Sequence, residues 1–236
     1  MKKIFALIGL GAFTITGASA QHITIGPEAG VNIYNQTTEI DGDRFRSDPK
    51  LGLKIGGVLD IGLNRTVSLQ PGLFYSQKGS KLEDIYYESV GGVTYREMER
   101  YDTRLNYLEM PLNIQFYFGR PRRGYFFIGG GPYVALALGG HEDYRFERRL
   151  SNGNREIVDS DRDSYDLEIG DNSREDDVKG TDAGLTFNLG FMSRHGFFMR
   201  GNLGVGLSNI FPGGDSDYRQ HNIGGSITMG FLFGNY

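Results

Sequence analysis

The sequence predicts an all-β chain, an eight-stranded antiparallel up-and-down transmembrane β-barrel. Three observations carry the prediction. Eight segments alternate bulky apolar residues with small or polar ones at period 2. The connections between them alternate in length. Every carboxylate lies in a connection or on the polar face of a segment.

Before the first segment, Met1-Lys2-Lys3 is followed by an apolar run from Ile4 to Ile15 and then by Ala18-Ser19-Ala20. A positive start, a short apolar run and a small-x-small site are the parts of a secretory signal peptide. The run is shorter than the ~20 residues a spanning helix needs. Residues 1–20 are therefore expected to be a signal peptide and residues 21–236 the barrel domain. The chain has no cysteine, which excludes a disulfide framework and thiolate metal sites.

The first segment sets Ile23, Ile25, Ala29, Val31 and Ile33 against Thr24, Gly26, Glu28, Gly30 and Asn32. The second sets Leu51, Leu53, Ile55, Leu59 and Ile61 against Gly52, Lys54, Gly56, Asp60 and Gly62. The third runs from Val67 to Ser76, and the fourth from Tyr107 to Phe118 with Glu109, Asn113 and Gln115 on its polar face. The fifth runs from Tyr125 to Leu138 and the sixth from Asp182 to Phe191. The seventh, from Phe197 to Ser208, carries Arg200 on its polar face, and the eighth runs from Asn222 to Phe233. Segments of about 10–13 residues suit a tilted membrane strand of 9–11 better than a soluble strand of about 5–6. Pro27, Pro71, Pro111 and Pro132 fall within segments and are expected to be bulges or weak points, because proline removes a ladder hydrogen bond.

Residues 35–49, 79–103 and 140–180 read as long loops, with a shorter one at 211–220. The connections at Asn64-Arg65, Gly119–Gly124 and Ser193–Gly196 read as tight turns. That is the plan of an outer-membrane barrel with long outer loops and short periplasmic turns, which puts both termini in the periplasm. Of the 29 acidic residues only Glu28, Asp60, Glu109 and Asp182 fall within segments. A charge facing lipid at mid-depth costs about 2–4 kcal/mol for a basic residue and less for an acidic one. The short turns carry only bases, at Arg65, Arg120, Arg122, Arg123 and Arg194. The second face of the segments is mostly Gly, Ser, Asn and Thr. That suits a narrow, filled lumen rather than the charged surface of a soluble barrel.

Tyr107-Leu108-Glu109-Met110-Pro111-Leu112 resembles the Y-L-E-I-P-L motif of the PorT-like outer-membrane barrels of Bacteroidota. The stretch Asp182–Gly190, Leu207-Ser208-Asn209-Ile210 and the closing Asn222–Phe233 fit the same family. The resemblance implies a barrel of the OmpA/OmpX size class. It also implies a role, shown by some members, as an accessory to type IX protein secretion. In such barrels an aromatic residue in phase with the last strand serves as assembly signal; here Phe233 is in phase but Gly234-Asn235-Tyr236 follow it.

Candidate chemistry is confined to two places. Glu28, Lys54, Asp60, Glu109, Asp182 and Arg200 all point at the lumen, as an internal polar network or as the lining of a gated path. A buried charge must be paired, and an eight-stranded barrel is just wide enough for its own side chains, which favours the network. Asp159, Asp161 and Asp163 begin like a calcium loop, but Ser164 and Gly170 stand where Gly and Glu are needed, so a solvated charged loop is favoured. His22, His141, His195 and His221 have no metal-ligand spacing and read as loop or strand-end residues, so no enzyme and no cofactor is expected. The long loops carry 25 acidic against 13 basic residues, which excludes a nucleic-acid partner.

The expected partners are outer-membrane lipid and lipopolysaccharide, the barrel-assembly machinery, and secretion-system or other envelope proteins. The expected function is a structural or accessory one in the envelope. A surface barrel binding a ligand or host factor through its acidic loops is the first alternative, and a small non-specific pore is the second.

Overall fold

The computed structural model describes residues 22–234 apart from 42, 121–123, 151–156, 173 and 214–217. The signal-peptide segment 1–20, Arg122 and Arg123, and the terminal Asn235-Tyr236 lie outside the described residues. Ten strands follow in chain order: β1 (Ile23–Ile40), β2 (Asp43–Arg46), β3 (Asp48–Gly62), β4 (Val67–Val90), β5 (Val93–Arg120), β6 (Gly124–Leu150), β7 (Ile157–Leu167), β8 (Thr181–Met192), β9 (Phe197–Gly206) and β10 (Tyr218–Phe231). Eight of them form a ring in the order β10-β9-β8-β6-β5-β4-β3-β1, every pair antiparallel. Pairing of β1 with β10, from Glu28 opposite Gly230 to Ile40 opposite Tyr218, closes it. Phe233 adds a last bridge to Ile25. Closure leaves no strand edge in the ring, the condition for crossing lipid with a sheet.

The period-2 pattern sorts the side chains as read from the sequence. On β5, Met110, Leu112, Ile114, Phe116 and Phe118 stand exposed on the outer wall, while Tyr107, Glu109, Asn113 and Gln115 are buried inside. The outer apolar stretch from Met110 to Phe118 is about 27 Å along the strand at ~3.4 Å per residue, close to the apolar band of a membrane barrel. Inside, aromatic rings lie across glycines of the next strand. Phe127 covers Gly190 and Phe198 covers Gly230, where an added Cβ would also come 2.5 Å from the Pro27 carbonyl oxygen. These glycines are slots that let large rings fill a narrow lumen. Two apolar clusters close it. Val58, Phe74, Phe127, Met192, Phe198 and Leu232 pack at the end of the short turns. Leu105, Tyr107, Tyr133, Ala135, Val178 and Ile210 pack toward the other end.

Three expectations need correction. The long loops at 79–103 and 140–150 are strand. β4 and β5 continue in one register for 24 and 28 residues to a turn at Gly91-Gly92, and β6 runs for 27 residues with β7 paired along its outer part. Likewise β2 folds back on the end of β1. These stretches lack an apolar face because water bathes both sides, so no hydrophobic period marks them. Secondly, none of the prolines is a bulge, and the expected weak point is seen only beside Pro71 and Pro111. Register is kept past Pro27, Pro71, Pro111 and Pro132, and the shifts fall between Pro49 and Lys54, Asn106 and Tyr107, and Arg148 and Arg149. The ladder merely opens beside Pro71 and Pro111, where an N–H is missing. Thirdly, the Asp159–Asp163 run is not a loop but lies within β7.

Candidate functional site: the lumen network and the vestibule above it

Alternation on six strands turns one set of charged side chains inward, and they meet in two groups. In the upper group Lys54 Nζ is 2.6 Å from Glu109 Oε1, and Lys78 Nζ is 3.0 Å from Glu109 Oε2 and 3.2 Å from Asp182 Oδ2. The Tyr133 hydroxyl and Asn222 Nδ2 each donate to Asp182 Oδ2 at 3.1 Å, and Ser208 Oγ donates to its other oxygen at 3.1 Å. The rings of Tyr34, Tyr107 and Tyr133 surround the Lys78 ammonium at 5.2, 5.2 and 4.4 Å. In the lower group Arg200 donates to Gln70 Oε1 at 2.5 Å and lies 3.6 Å from Glu28, whose other oxygen accepts from Thr228 at 2.6 Å. Asp60 accepts from Ser68 at 2.6 Å, Tyr117 at 2.9 Å and Gln70 at 3.1 Å.

All six lumen residues named from the sequence thus face inward, but their partners cross in ways the sequence does not show. Lys54 meets Glu109, Arg200 meets Glu28, and Asp60 meets only neutral donors. Lys78, the one cation shared by the two upper carboxylates, is absent from the sequence-based set. Its signal is its phase: Ser68, Gln70, Ser76, Lys78 and Ser80 are buried at even positions of one strand. The strand simply runs further than the apolar face that marks it.

Above the Tyr107 cluster the walls open into a vestibule of about 680 Å³. Phe45, Tyr101, Tyr165, Phe211 and Tyr218 offer rings to it, and Asp84, Glu142 and Asp177 offer carboxylates. Ser80 donates to Gln36 Oε1 at 2.9 Å, and Gln220 to the same oxygen at 3.1 Å, which ties β4 to the β1–β10 wall at its base. Tyr165 donates to Glu142, whose other oxygen accepts from Thr103 at 2.6 Å. That bond to Glu142, with burial second, pushes the Tyr165 phenol above its ordinary range. The geometry can hold a hydroxylated or cationic group against aromatic faces.

A family model described as an outer membrane protein beta-barrel domain matches residues 19–212. The chain belongs to this outer-membrane β-barrel family. No curated protein matches it. Among solved structures the barrel is similar to Ail, the attachment invasion locus protein of Yersinia pestis, at 10% identity over 91% of this chain and 100% of that one, with a TM-score of 0.35. It is also similar to CarO2 of Acinetobacter baumannii, at 15% identity over 91% and 100% of the two chains and a TM-score of 0.34. The outer membrane protease OmpT of Escherichia coli matches at 8% identity over 92% and 99%, with a TM-score of 0.32.

Two surface motifs of this outer-membrane barrel remain. Asp159, Asp161 and Asp163 point to one face of β7, opposite Arg148, Phe146 and Tyr144, and are spread along an extended strand instead of converging. Among the described residues no group of three His, Asp or Glu side chains could hold a metal ion. His141 is mid-strand in β6, not at a strand end, with Nε2 2.7 Å from Ser164 Oγ and Nδ1 2.9 Å from Asp166. This has the outline of a nucleophile triad. Ser164 Oγ, however, gives its one proton to Asp143 at 2.7 Å, so Nε2 must donate to Ser164. The proton then runs opposite to the direction a nucleophile needs.

Proposed function

We propose that this outer-membrane barrel is a non-enzymatic, surface-exposed binding protein whose hairpin end faces the outside and whose vestibule takes the ligand. The observation that carries the reading is the vestibule itself. Sequence that could have been slack loop is instead paired strand, and it walls an aromatic and acidic cleft above a lumen closed by side chains. A closed lumen favours binding over conduction, and short turns with both termini at the other end suit a periplasmic side. The Ser164 proton argument supports the absence of catalysis. Outer-leaflet lipopolysaccharide and the barrel-assembly machinery are the partners this placement entails.

A second reading rests on the motif Tyr107–Leu112, which the fold uses as wall and lumen filling: an accessory barrel of the PorT-like kind from Bacteroidota, serving protein secretion. A deletion strain complemented with a trimmed barrel separates the two. In that variant Ser80 is joined to Thr103 through the native Gly91-Gly92 turn. The binding reading expects deletion to leave cargo secretion unchanged and the trimmed barrel to insert while failing to restore surface binding. Full restoration of binding by the trimmed barrel overturns it. Secretion lost on deletion and regained with the trimmed barrel supports the accessory reading.

A further inference from the structure

The hairpin sheet built from the outer parts of β4, β5, β6 and β7 has an acidic inner face and an outer face that carries most of its bases. β5 keeps one register throughout, so its even-numbered residues continue the lipid-facing wall upward. The inner face carries Asp84, Glu97, Glu99 and Glu142 with Asp159, Asp161 and Asp163 of β7. Its one base among the described residues, Arg148, is taken up by Glu88 and Glu97. The outer face holds Arg104, Arg100, Arg145, Arg162, Arg96 and Arg149 together with Glu83, Asp102, Asp143, Glu147 and Asp166, of which Glu147 pairs with Arg149 at 2.6 Å. In one row Glu83, Arg100, Arg145 and Arg162 stand directly opposite one another across four strands.

Three guanidinium groups in register repel one another, and like charges directly opposite destabilise a sheet. Only Arg100 is neutralised, by Glu83 at 2.5 Å. The neighbouring acids are engaged elsewhere: Asp102 by Lys50 and Lys81, and Asp143 by Ser164 and His141. Arg145 and Arg162 have no ion pair among the described residues. With Lys81 and Arg100 they border a pocket of about 500 Å³ whose carboxylates are Asp48, Glu83, Asp102 and Asp143. A self-repelling row beside an open pocket calls for a polyvalent anion.

Height identifies its source. Arg104 lies four residues beyond Leu108 on β5 and Arg100 eight, which at ~3.4 Å per residue and ~40° tilt places them about 10 and 20 Å above that wall position. A phospholipid headgroup ends about 5–8 Å beyond the hydrocarbon, short of the row. A phosphorylated saccharide headgroup reaches it. We infer that the outer face of the hairpin sheet is a docking surface for the phosphate groups of outer-leaflet lipopolysaccharide, centred on Arg145 and Arg162. Bidentate guanidinium–phosphate bonds supply both the charge and the geometry. The inference rests on the outward orientation of the hairpins and is separate from any ligand of the vestibule.

The test uses the full-length barrel in non-ionic detergent and purified lipopolysaccharide, with binding followed by biolayer interferometry. R145Q/R162Q weakens binding at least about tenfold, the scale of losing one charged hydrogen bond. R65Q/R194Q, at the opposite end and of equal charge, leaves it unchanged. Dephosphorylated lipopolysaccharide binds the native barrel as weakly as native lipopolysaccharide binds R145Q/R162Q, and millimolar inorganic phosphate does not displace the intact lipid. Unchanged binding by R145Q/R162Q, equal loss in R65Q/R194Q, undiminished binding of the dephosphorylated form, or full displacement by phosphate overturns the proposal. R162Q alone, on the peripheral strand β7, serves where the double variant does not fold. Orientation is read separately. The chain has no cysteine, so V90C labelled in intact cells by an impermeant maleimide reports it, and a failure there sinks the outward orientation without altering the binding result.

Discussion

Lys78 Nζ lies 3.0 Å from Glu109 and 3.2 Å from Asp182, both of them deep in the lumen. Removing one partner of a buried ion set leaves charge without compensation, at a cost of about 3–5 kcal/mol, whereas neutralising the whole set is far milder. K78M is therefore expected to lower the unfolding free energy by about that amount, and K78M/E109Q/D182N to regain most of it. The chain has no tryptophan, so the readout is urea unfolding in detergent followed by circular dichroism and heat-modifiable gel migration. On the hairpins the Tyr86 hydroxyl donates to Glu99 at 2.5 Å, and this bond chiefly pushes the phenol up to about 12. A raised folded-state value means the contribution is complete below the ordinary phenol range near 10 and fades as pH rises through about 12. Ultraviolet phenolate titration should lose one late-titrating group in Y86F and leave the earlier groups in place. At this scale the sequence shows which face a charge takes, as for Glu28 and Arg200. It does not show the partner, because pairing depends on which strands the ring makes neighbours and how far each is offset.

Among elements, the β4–β5 hairpin is the clearest case of structure hidden in sequence. Lys81, Glu83 and Arg100 on one face and Asp84, Glu97 and Glu99 on the other leave no apolar side to read. What remains legible is Gly91-Gly92, with φ of 62° and 81°. Two consecutive left-handed residues are the signature of a type I′ hairpin turn, for which glycine is suited. G91V/G92V costs about 1–2 kcal/mol per residue. Hydrogen exchange should rise along β4 and β5 beyond Ser80 while the amides of Val67–Ser76 stay protected. Equal loss of protection in both regions would show that hairpin and barrel unfold as one unit. The membrane-spanning parts were legible because lipid imposes an apolar face on each strand, and water imposes nothing comparable on the hairpins.

For the molecule as a whole, ring closure and strand count follow from the alternating segments, while the stack within the lumen does not. Phe127 and Phe198 fill the turn end, the ion network fills the middle, and Leu105, Tyr107 and Ile210 close the upper part. Pure barrel in planar bilayers is accordingly expected to give no large stable channels. Steady conductance from native protein would refute the closed lumen.

The 28 residues of β5 pass unbroken from the turn end to the hairpin tip, about 90 Å at ~3.4 Å per residue. A load applied at Gly91-Gly92 therefore travels straight into the barrel wall. It pulls β4 against β3 and β5 against β6 along their length, so many ladder bonds share the force at once instead of opening one after another. If the hairpins bind a ligand as proposed, the tether they form has its weakest link at the grip and not at the anchor.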